Sequence, residues 1–261
     1  MTFTRAIVRP PADNFAAGLS SAALGSPDVG RALQQHAAYV HALRDCGLEV
    51  TCLEPDGEYP DATFVEDTAI VAARGAVLTR PGAPSRAGEV RSIAECLRGI
   101  YADLLEIEAP GTMDGGDICE ADGHFLIGIS ARTNANGAHQ LAERLCGLKY
   151  TSSMIDIRSS HGLLHLKSGI AYLGDGIWAV QSGLEAMLRS QGGIDVHDPI
   201  VVSPREAYAA NCVRVNAAVL VAAGYSQMSA ALEQKGCRVV HLEMSEFKKM
   251  DGGLSCLSLR F

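Results

Sequence analysis

The chain repeats one unit four times along its 261 residues: an apolar strand, a tight turn, a second apolar strand, a helix-like stretch and one more short strand. Turns are predicted at Arg74-Gly75, Asp122-Gly123, Asp175-Gly176 and near Asn216-Ala217. Two of these are Asp-Gly, the pair favoured in two-residue hairpin turns because both positions require a positive φ. The second turn residues, at 75, 123, 176 and 217, lie 48, 53 and 41 residues apart. A period of this size, even an irregular one, predicts a repeat architecture.

Each hairpin is followed by a segment with helical composition and spacing. The predicted helices are Arg86–Arg98, Asn134–Cys146, Leu184–Gln191 and Gln227–Lys235. Apolar strands follow the helices, among them LLEIEA, SMIDIR and CRVVHLE. A fifth helix, Asp28–Arg44, and the strand LEVTCLE have no hairpin before them. The chain therefore has four complete units and one that lacks its first two strands.

The two ends of the chain can supply the missing hairpin. If the C-terminal LSCLSLRF pairs with the N-terminal TFTRAIVR, the array closes into a ring. Closure removes exposed sheet edges, which otherwise promote aggregation. The sequence therefore predicts an α/β fold, a five-bladed α/β propeller of ββαβ-type repeats closed by pairing of the two termini. We expect a single domain over residues 1–261, with functional residues converging on the central axis.

The charge balance limits the kinds of partner. Lys and Arg total 22 against 30 for Asp and Glu, a formal net charge of -8. This argues against nucleic acid, whose binding needs a basic face, and favours a small cationic ligand. No apolar run approaches the roughly 18 residues needed to cross a bilayer, and the N-terminus lacks the apolar segment of a secretory signal. We therefore expect a soluble, cytoplasmic protein that binds neither nucleic acid nor membrane.

The eight cysteines are scattered without a C-x-x-C pair. A chain of this size does not depend on disulfides for its core, so we interpret them as reduced thiols. Spacings typical of metal ligands, such as H-E-x-x-H, are also absent from the sequence. We expect no dedicated metal site and no cofactor.

Three residues are candidates for nucleophilic chemistry. Cys256 lies in the last predicted strand and is either a small buried hydrophobe or a reactive thiol, which would need a depressed pKa and a partner base. His165, in the apolar stretch LLHLKSG, is the best partner, although a core histidine is the alternative. Asp114 precedes Gly115-Gly116 in a segment, MDGG, that recurs at residues 250–253. Paired glycines permit a close approach of backbone to backbone or ligand, so we expect both bends to face the axis.

A second group of residues suits a planar cation with a carboxylate. The segment YPDATFVEDTAI places Asp61, Glu66 and Asp67 around Phe64, either as a solvated acidic loop or as a site for a guanidinium, which pairs with carboxylates in bidentate fashion. Arg86 and Arg132 each begin a helix-like segment after a hairpin. They are either surface arginines or a clamp for a carboxylate.

These stretches together resemble the dimethylarginine dimethylaminohydrolase family of the guanidino-modifying superfamily. The resemblance covers essentially the whole chain, through GLSSAALG, DATFVED, TRPGAPSRAGE, EAPGTMDGGDI, SARTNANGA, LHLKSG, AANC and DGGLSCLSLRF. It implies the propeller fold and the hydrolysis of N-methylated arginine to citrulline and methylamine through a covalent thiouronium on cysteine. The implied small-molecule substrate is a methylated arginine, and no cofactor is implied.

The resemblance also implies roles for individual residues. Cys256 would be the nucleophile, His165 the general acid and base, and Asp114 the carboxylate that orients the histidine. Some relatives carry Glu at this last position, and Asp117 is the rival carboxylate. The implied substrate-binding residues are Leu19, Asp61, Glu66, Asp67, Arg86, Arg132 and Met250, with Phe64 lining the same pocket, and the segment 13–25 is expected to be a lid.

Two other functions remain open. An arginine deiminase or other guanidine hydrolase would use the same chemistry on unmethylated arginine. A non-catalytic arginine-binding module would keep the propeller and lose reactivity, although the presence of Cys256, His165 and Asp114 argues against it. A homodimer and a monomer are both compatible with the sequence.

Overall fold

Fifteen short strands carry the architecture of the computed structural model, which describes residues 2–160 and 162–261. Within these residues the strands are β1 (Arg5–Val8), β2 (Glu49–Cys52), β3 (Ala69–Ala72), β4 (Gly75–Leu78), β5 (Leu104–Glu106), β6 (Ile118–Ala121), β7 (His124–Ile129), β8 (Thr151–Asp156), β9 (Ile170–Tyr172), β10 (Trp178–Gln181), β11 (Ile200–Val202), β12 (Val213–Val215), β13 (Ala218–Ala222), β14 (Arg238–Leu242) and β15 (Leu259–Arg260). The α-helices of the same part of the chain are α1 (Val29–Asp45), α2 (Val90–Arg98), α3 (Ala135–Gly147), α4 (Glu185–Gln191), α5 (Ser226–Gln234) and α6 (Ser245–Lys248).

The strands form five three-stranded sheets, in the orders β15-β1-β2, β3-β4-β5, β6-β7-β8, β9-β10-β11 and β12-β13-β14. In every sheet the central strand is antiparallel to one neighbour and parallel to the other, which is reached through a helix. The predicted fold class, a five-bladed α/β propeller, is confirmed.

The predicted closure of the ring by the two ends of the chain is also confirmed. Strand β1 pairs with β15 in antiparallel register, with Ala6 opposite Arg260 and Ile7 opposite Leu259. The carbonyl oxygen of Phe261 accepts hydrogen bonds from the backbone N–H groups of Thr4 and Arg5 at 2.9 and 2.8 Å. The first and last strands therefore complete one blade.

The predicted hairpin turns agree with the structure at three places and are wrong by one residue at the fourth. Asp122 and Gly123 have φ values of 48° and 83°, as a two-residue turn of this kind requires. Gly75, by contrast, pairs with Ala72 in the ladder, so residues 73 and 74 form the turn. Gly75 serves close packing instead, because a Cβ at this position would lie 2.9 Å from a methyl carbon of Leu148.

The helices agree with the predicted segments except near Arg86. Residues Pro84–Glu89 form a 3-10 helix and α2 begins only at Val90, so the predicted helical start at Arg86 is wrong. The predicted start of the first helix at Asp28 agrees with the structure, because the Asp28 side chain caps α1 by accepting a hydrogen bond from the backbone N–H of Arg31. The apolar helix faces fill the spaces between neighbouring sheets and join the blades through shared cores.

Short 3-10 helices precede the inner strand of each blade and meet around the axis. These five segments, which we call the axial collar, are Val65–Thr68, Gly115–Asp117, Leu166–Ser168, Pro204–Ala210 and Ser255–Leu257. The collar segments contact one another across blade boundaries. Residues far apart in the sequence are thereby brought to one place, at one end of the propeller axis. In the part of the chain that the structure describes, no helix is both long enough and apolar enough to pass through a membrane.

Candidate active site

Cys256 lies in the last collar segment, where its side chain is partly exposed. The backbone N–H of Gly253 points at its sulfur, with the nitrogen 3.4 Å from Sγ. Burial and the nearby carboxylates of Glu66 and Asp67 raise the pKa of the Cys256 thiol to about 12. The thiol is therefore protonated at neutral pH.

His165 and Asp114 form a buried pair, and His165 lines a cleft together with Cys256. Nε2 of His165 lies 3.0 Å from Oδ2 of Asp114, and the other carboxylate oxygen of Asp114 accepts from the backbone N–H of Gly82 at 2.8 Å. Burial lowers the pKa of His165, but the surrounding carboxylates, Asp67 first, outweigh it and raise the pKa to about 9. The imidazole is therefore protonated at neutral pH and can act as an acid.

Asp117, the rival carboxylate, has its oxygens occupied by other groups. Oδ2 accepts from the hydroxyls of Ser130 and Thr133, both at 2.6 Å, and Oδ1 accepts from the backbone N–H of Leu166 at 3.0 Å. Asp117 thus fixes the backbone next to His165, while Asp114 contacts the ring itself. The geometry favours Asp114 as the orienting carboxylate.

The two MDGG bends approach the axis as predicted. A Cβ at Gly116 would lie 2.6 Å from Nδ1 of His165, and one at Gly252 would lie 2.2 Å from the ring of Phe64. A larger residue at either position would displace a ring that borders the site. The glycines are therefore required by close approach to side chains at the axis.

A narrow cleft at the axis brings most of the predicted site residues together. Its lining includes Leu19, Asp61, Phe64, Asp67, Arg86, Arg132, His165, Met250 and Cys256. Asp114 lies behind His165, and Glu66 is absent from the lining. The cleft has a carboxylate-rich wall and two arginines, as expected for an amino acid that carries a guanidinium.

The two arginines differ in how their guanidinium groups are occupied. Arg86 is buried and binds Glu89 through Nε and Nη2 at 2.8 to 3.1 Å, while its Nη1 lies 2.6 Å from Oδ2 of Asp67. Arg132 is only partly buried, yet its Nη1 atom is buried without a hydrogen-bond partner in the described structure. A buried donor without a partner is costly unless a ligand satisfies it. Arg132 is thus free to bind an anion, whereas Arg86 is held in an ion-pair network.

The acidic wall is set by Asp67 and Asp61. Interaction with protonated His165 and with Arg86 outweighs the effect of burial and lowers the pKa of Asp67 to about 2. Its Oδ1 also accepts from the backbone N–H of Gly116 at 2.9 Å. Both carboxylate oxygens of Asp61 lie 3.1 Å from the backbone nitrogen of Leu19, which ties the predicted lid segment to the cleft.

Glu66 has partners on the other side of the collar. Oε1 lies 2.6 Å from Nζ of Lys167, and Oε2 accepts from the hydroxyl of Ser255 at 2.7 Å. It lines a separate axial cavity together with these two residues and Arg260. The predicted contact of Glu66 with a guanidinium stays a prediction.

Three buried residues in and behind the cleft, Asp67, Asp114 and His165, each offer a ligand atom within 4.8 Å of the others. They could hold a metal ion, but Asp67 already accepts from Gly116 and Arg86. The same closeness serves proton transfer, because a cationic imidazole lies between two carboxylates.

Sequence reasoning missed two residues that hold this site together, Glu89 and Asn211. Burial raises the pKa of Glu89 to about 7, although its bidentate contact with Arg86 acts in the opposite direction. Glu89 lies three residues after Arg86 within SRAGE, and this spacing is the sequence signal that could have identified it as a partner of Arg86. Asn211 lies in the AANC segment, whose residues carry no local pattern that predicts a role.

The fold and the cleft together define an α/β-propeller enzyme of the guanidino-modifying class. No protein-family model matches the chain. Over 99% of its length it is 41% identical to the whole N(G),N(G)-dimethylarginine dimethylaminohydrolase of Pseudomonas aeruginosa. The chain therefore belongs to the dimethylarginine dimethylaminohydrolase family.

Solved structures agree with this assignment. The chain superposes with a TM-score of 0.93 and 39% identity, over 100% of both chains, on a cysteine-to-serine variant of the P. aeruginosa protein complexed with citrulline. It superposes with a TM-score of 0.92 and 40% identity, again over both whole chains, on a histidine-to-glycine dimethylarginine dimethylaminohydrolase captured as an adduct with S-methyl-L-thiocitrulline.

Proposed function

We propose that this chain hydrolyses N-methylated arginine to citrulline and a methylated amine, with Cys256 as the nucleophile. The observation that carries the proposal is the meeting of Cys256, His165 and Asp67 in one cleft at the axis. Family membership supports the same activity, because the P. aeruginosa relative carries this name and binds citrulline. The alternative substrate is unmethylated arginine, as in an arginine deiminase.

The cleft offers partners for both ends of the substrate. The carboxylate of Asp67 would hold the guanidinium, since charge-assisted hydrogen bonds to carboxylates suit its planar N–H groups. The buried unpartnered Nη1 of Arg132 would bind the α-carboxylate. Backbone carbonyls at Leu19 and Met250 would accept from the α-amino group. These contacts would place the guanidinium carbon against Cys256.

The raised thiol pKa indicates how the nucleophile forms. Cys256 has a pKa of about 12, and the charged guanidinium, when it binds beside the sulfur, would favour loss of the thiol proton to solvent and formation of the thiolate. The sulfur then attacks the guanidinium carbon while His165, protonated because its pKa is about 9, donates its proton to the departing amine. A C–S bond forms and the C–N bond to the methylated nitrogen breaks, which leaves a thiouronium on Cys256.

The second half of the reaction uses the same imidazole as a base. Neutral His165 takes a proton from water, and the oxygen of that water attacks the thiouronium carbon. Collapse of the intermediate breaks the C–S bond, returns the thiol and frees citrulline. Asp114 keeps Nε2 of His165 oriented through both steps.

The decisive experiment is to mix the purified protein with asymmetric dimethylarginine, monomethylarginine or arginine and to measure citrulline. We expect citrulline and dimethylamine from the first substrate, and a lower kcat/KM with arginine. Cys256→Ser should abolish the reaction and retain citrulline binding by calorimetry. A folded parent protein that binds these compounds and releases no citrulline would instead favour an arginine-binding module.

We also propose that residues 13–25 act as a lid. The hydroxyl of Ser20 donates to the carbonyl of Lys249 at 2.7 Å, and the hydroxyl of Ser21 donates to Asp251 at 2.9 Å. These bonds join the segment to the chain next to the cleft, so the lid could exclude water during the reaction. Protection of the segment from protease by citrulline supports this role, and unchanged cleavage contradicts it.

The location and organisation of the protein are further proposals. We propose that residues 1–261 act as one catalytic domain, supported by the pairing of the first and last strands in one sheet. A cytoplasmic location is a separate proposal. Association into a homodimer is a separate prediction. Light scattering on the purified protein measures that state directly.

A further inference from the structure

Asn211 is a buried side chain that the proposed chemistry does not use. Its Nδ2 donates to the backbone carbonyl of Lys167 at 2.9 Å and to the hydroxyl of Ser255 at 3.0 Å. Its Oδ1 accepts from the backbone N–H of Ser255 at 2.9 Å. Every hydrogen-bonding atom of the amide is therefore engaged, and both neighbours belong to the axial collar.

These bonds close a polar ring around the axis. The hydroxyl of Ser255 also donates to Glu66, whose other oxygen binds Nζ of Lys167 at 2.6 Å. Lys167 returns to Asn211 through its carbonyl. The ring thus links four blades, because Glu66, Lys167, Asn211 and Ser255 precede the inner strands β3, β9, β12 and β15.

Two members of this ring are chain neighbours of the proposed catalytic residues. Ser255 directly precedes Cys256, and Lys167 follows His165 by two residues. Glu66 bonds to the side chains of both segments, whereas Asn211 bonds to their backbone, at the N–H of Ser255 and the carbonyl of Lys167. Its amide therefore joins the backbone that carries the thiol to the backbone that carries the imidazole.

Asn211 also borders the backbone that faces the Cys256 sulfur. A Cβ at Gly253 would lie 2.4 Å from Oδ1 of Asn211, so glycine is required there. The backbone N–H of this same Gly253 points at Sγ of Cys256. The collar segment that directly precedes Asn211 holds the turn a second time, since the Tyr208 hydroxyl donates to the carbonyl of Gly252 at 2.8 Å.

We propose that Asn211 is a positioning residue for the nucleophile: it locks the turn 253–256 against the His165 segment, so that the sulfur faces the guanidinium carbon and the Gly253 N–H faces the sulfur. This inference rests on the proposed role of Cys256. Positioning of this kind affects the reaction more than binding, because the contacts to the two ends of the substrate come from other residues.

The test compares Asn211→Ala and Asn211→Asp with the parent protein. The alanine variant removes all three bonds, and the aspartate variant keeps the acceptor for Ser255 but places a carboxylate beside the carbonyl of Lys167 and near Glu66. We expect kcat with dimethylarginine to fall about 100-fold in each, as for a misplaced reacting group. Citrulline affinity measured in the Cys256→Ser background should change less than about twofold, well below the ten-fold that 1.4 kcal/mol produces.

The reactivity of the Cys256 thiol is a property that a loss of folding stability alone would not change. The rate at which iodoacetamide alkylates Cys256, mapped to its peptide by mass spectrometry, is measured against pH for each variant. We expect the profile of both Asn211 variants to move to higher pH, because the Gly253 N–H no longer faces the sulfur and Asn211→Asp adds negative charge. Asn136→Ala is the matched control, since Asn136 is exposed in α3, and it should match the parent in every assay.

Three results would overturn the proposal: kcat within twofold of the parent, an unmoved alkylation profile in a folded variant, or a loss of citrulline affinity as large as the loss of kcat. If Asn211→Ala does not fold, Ser255→Ala decides, because it breaks the link to Glu66 and keeps the backbone bond to Asn211. We expect about a tenfold loss of kcat there, and an unchanged kcat contradicts the inference. If the parent makes no citrulline, the proposed function fails, while the alkylation series still judges Asn211 alone.

Discussion

At the scale of single residues, two arginines that are equivalent in the sequence differ in their surroundings. Both were predicted to bind the substrate carboxylate, and both line the cleft. Arg86, however, neutralises two buried carboxylates, those of Asp67 and Glu89, whereas Arg132 has a buried donor without a partner in the described structure. The sequence could not distinguish them, because the partners of Arg86 are fixed by the 3-10 turn that replaces the expected first turn of α2.

We predict that Arg132→Ala impairs binding and leaves the fold intact. Loss of a charge-assisted contact to the α-carboxylate costs about 1.5–3 kcal/mol, so KM should rise roughly 10- to 100-fold. The value of kcat should change much less. Steady-state kinetics and thermal unfolding of the same sample measure both, and a drop in Tm without a change in KM would contradict the prediction.

Arg86→Ala should act mainly on stability. It leaves the carboxylates of Asp67 and Glu89 buried without their cation, and breaking a buried ion pair in this way costs about 3–5 kcal/mol. Urea unfolding at neutral pH measures the loss. Arg91→Ala, on the exposed face of α2, is the control, and equal stability of the two variants would show that the network is not structural.

At the scale of secondary-structure elements, local signals predicted most of the fold. Turn residues placed the hairpins, and helical composition and spacing placed the helices, to within a residue or two; the exception is α2, which begins at Val90 and not at the predicted Arg86. The collar segments, which are three to seven residues long, were missed because 3-10 helices this short show no sequence period. Their side chains find partners in other blades, as Asn211 and Ser255 do across 44 residues, and no local pattern records such a pairing.

Helix α1 supplies a prediction about pH. His36 is buried on its core-facing side, and burial lowers the pKa of His36 to about 4. The imidazole of His36 becomes protonated below about pH 6.5 in the unfolded chain, but only near pH 4 in the folded chain. Its contribution to the free energy of unfolding is therefore complete above pH 6.5 and is lost as the pH falls towards 4. The loss amounts to at most about 3 kcal/mol.

Replacement of His36 tests this assignment. His36→Gln should flatten the decline in the free energy of unfolding between pH 6.5 and 4, and His41→Gln, at an exposed position of the same helix, should not. His165 acts in a different window with the opposite sign, because its raised pKa makes its contribution decline as pH rises from 6.5 to about 9. Unfolding by urea at several pH values separates the two, and an unflattened slope in His36→Gln contradicts the prediction.

At the scale of the whole molecule, the ring explains why the site residues are spread over the sequence. Each blade sends one collar segment to the axis, so that residues as distant as Glu66 and Ser255 are in contact. The nucleophile lies just before β15, the strand that closes the ring on β1. Closure and catalysis are therefore coupled through the last few residues of the chain.

This coupling predicts which circular permutants will work. Phe261 is hydrogen-bonded to Thr4 and Arg5, so a short Gly-Ser linker can join the C-terminus to the N-terminus. New ends at Asp175-Gly176 would lie in an exposed hairpin turn, where cutting is best tolerated. We expect this permutant to keep its Tm within about 5 °C, equivalent to a change of one or two kcal/mol, and to retain kcat.

A second permutant, opened between Leu254 and Ser255, separates the two effects. Its sheets keep all fifteen strands, but the cut releases the turn that holds the Gly253 N–H against the sulfur of Cys256. We expect it to fold with the same circular dichroism spectrum and to lose at least about 100-fold in kcat, since the sulfur is no longer held in position. A second permutant that keeps the kcat of the parent protein would contradict this coupling of closure and catalysis.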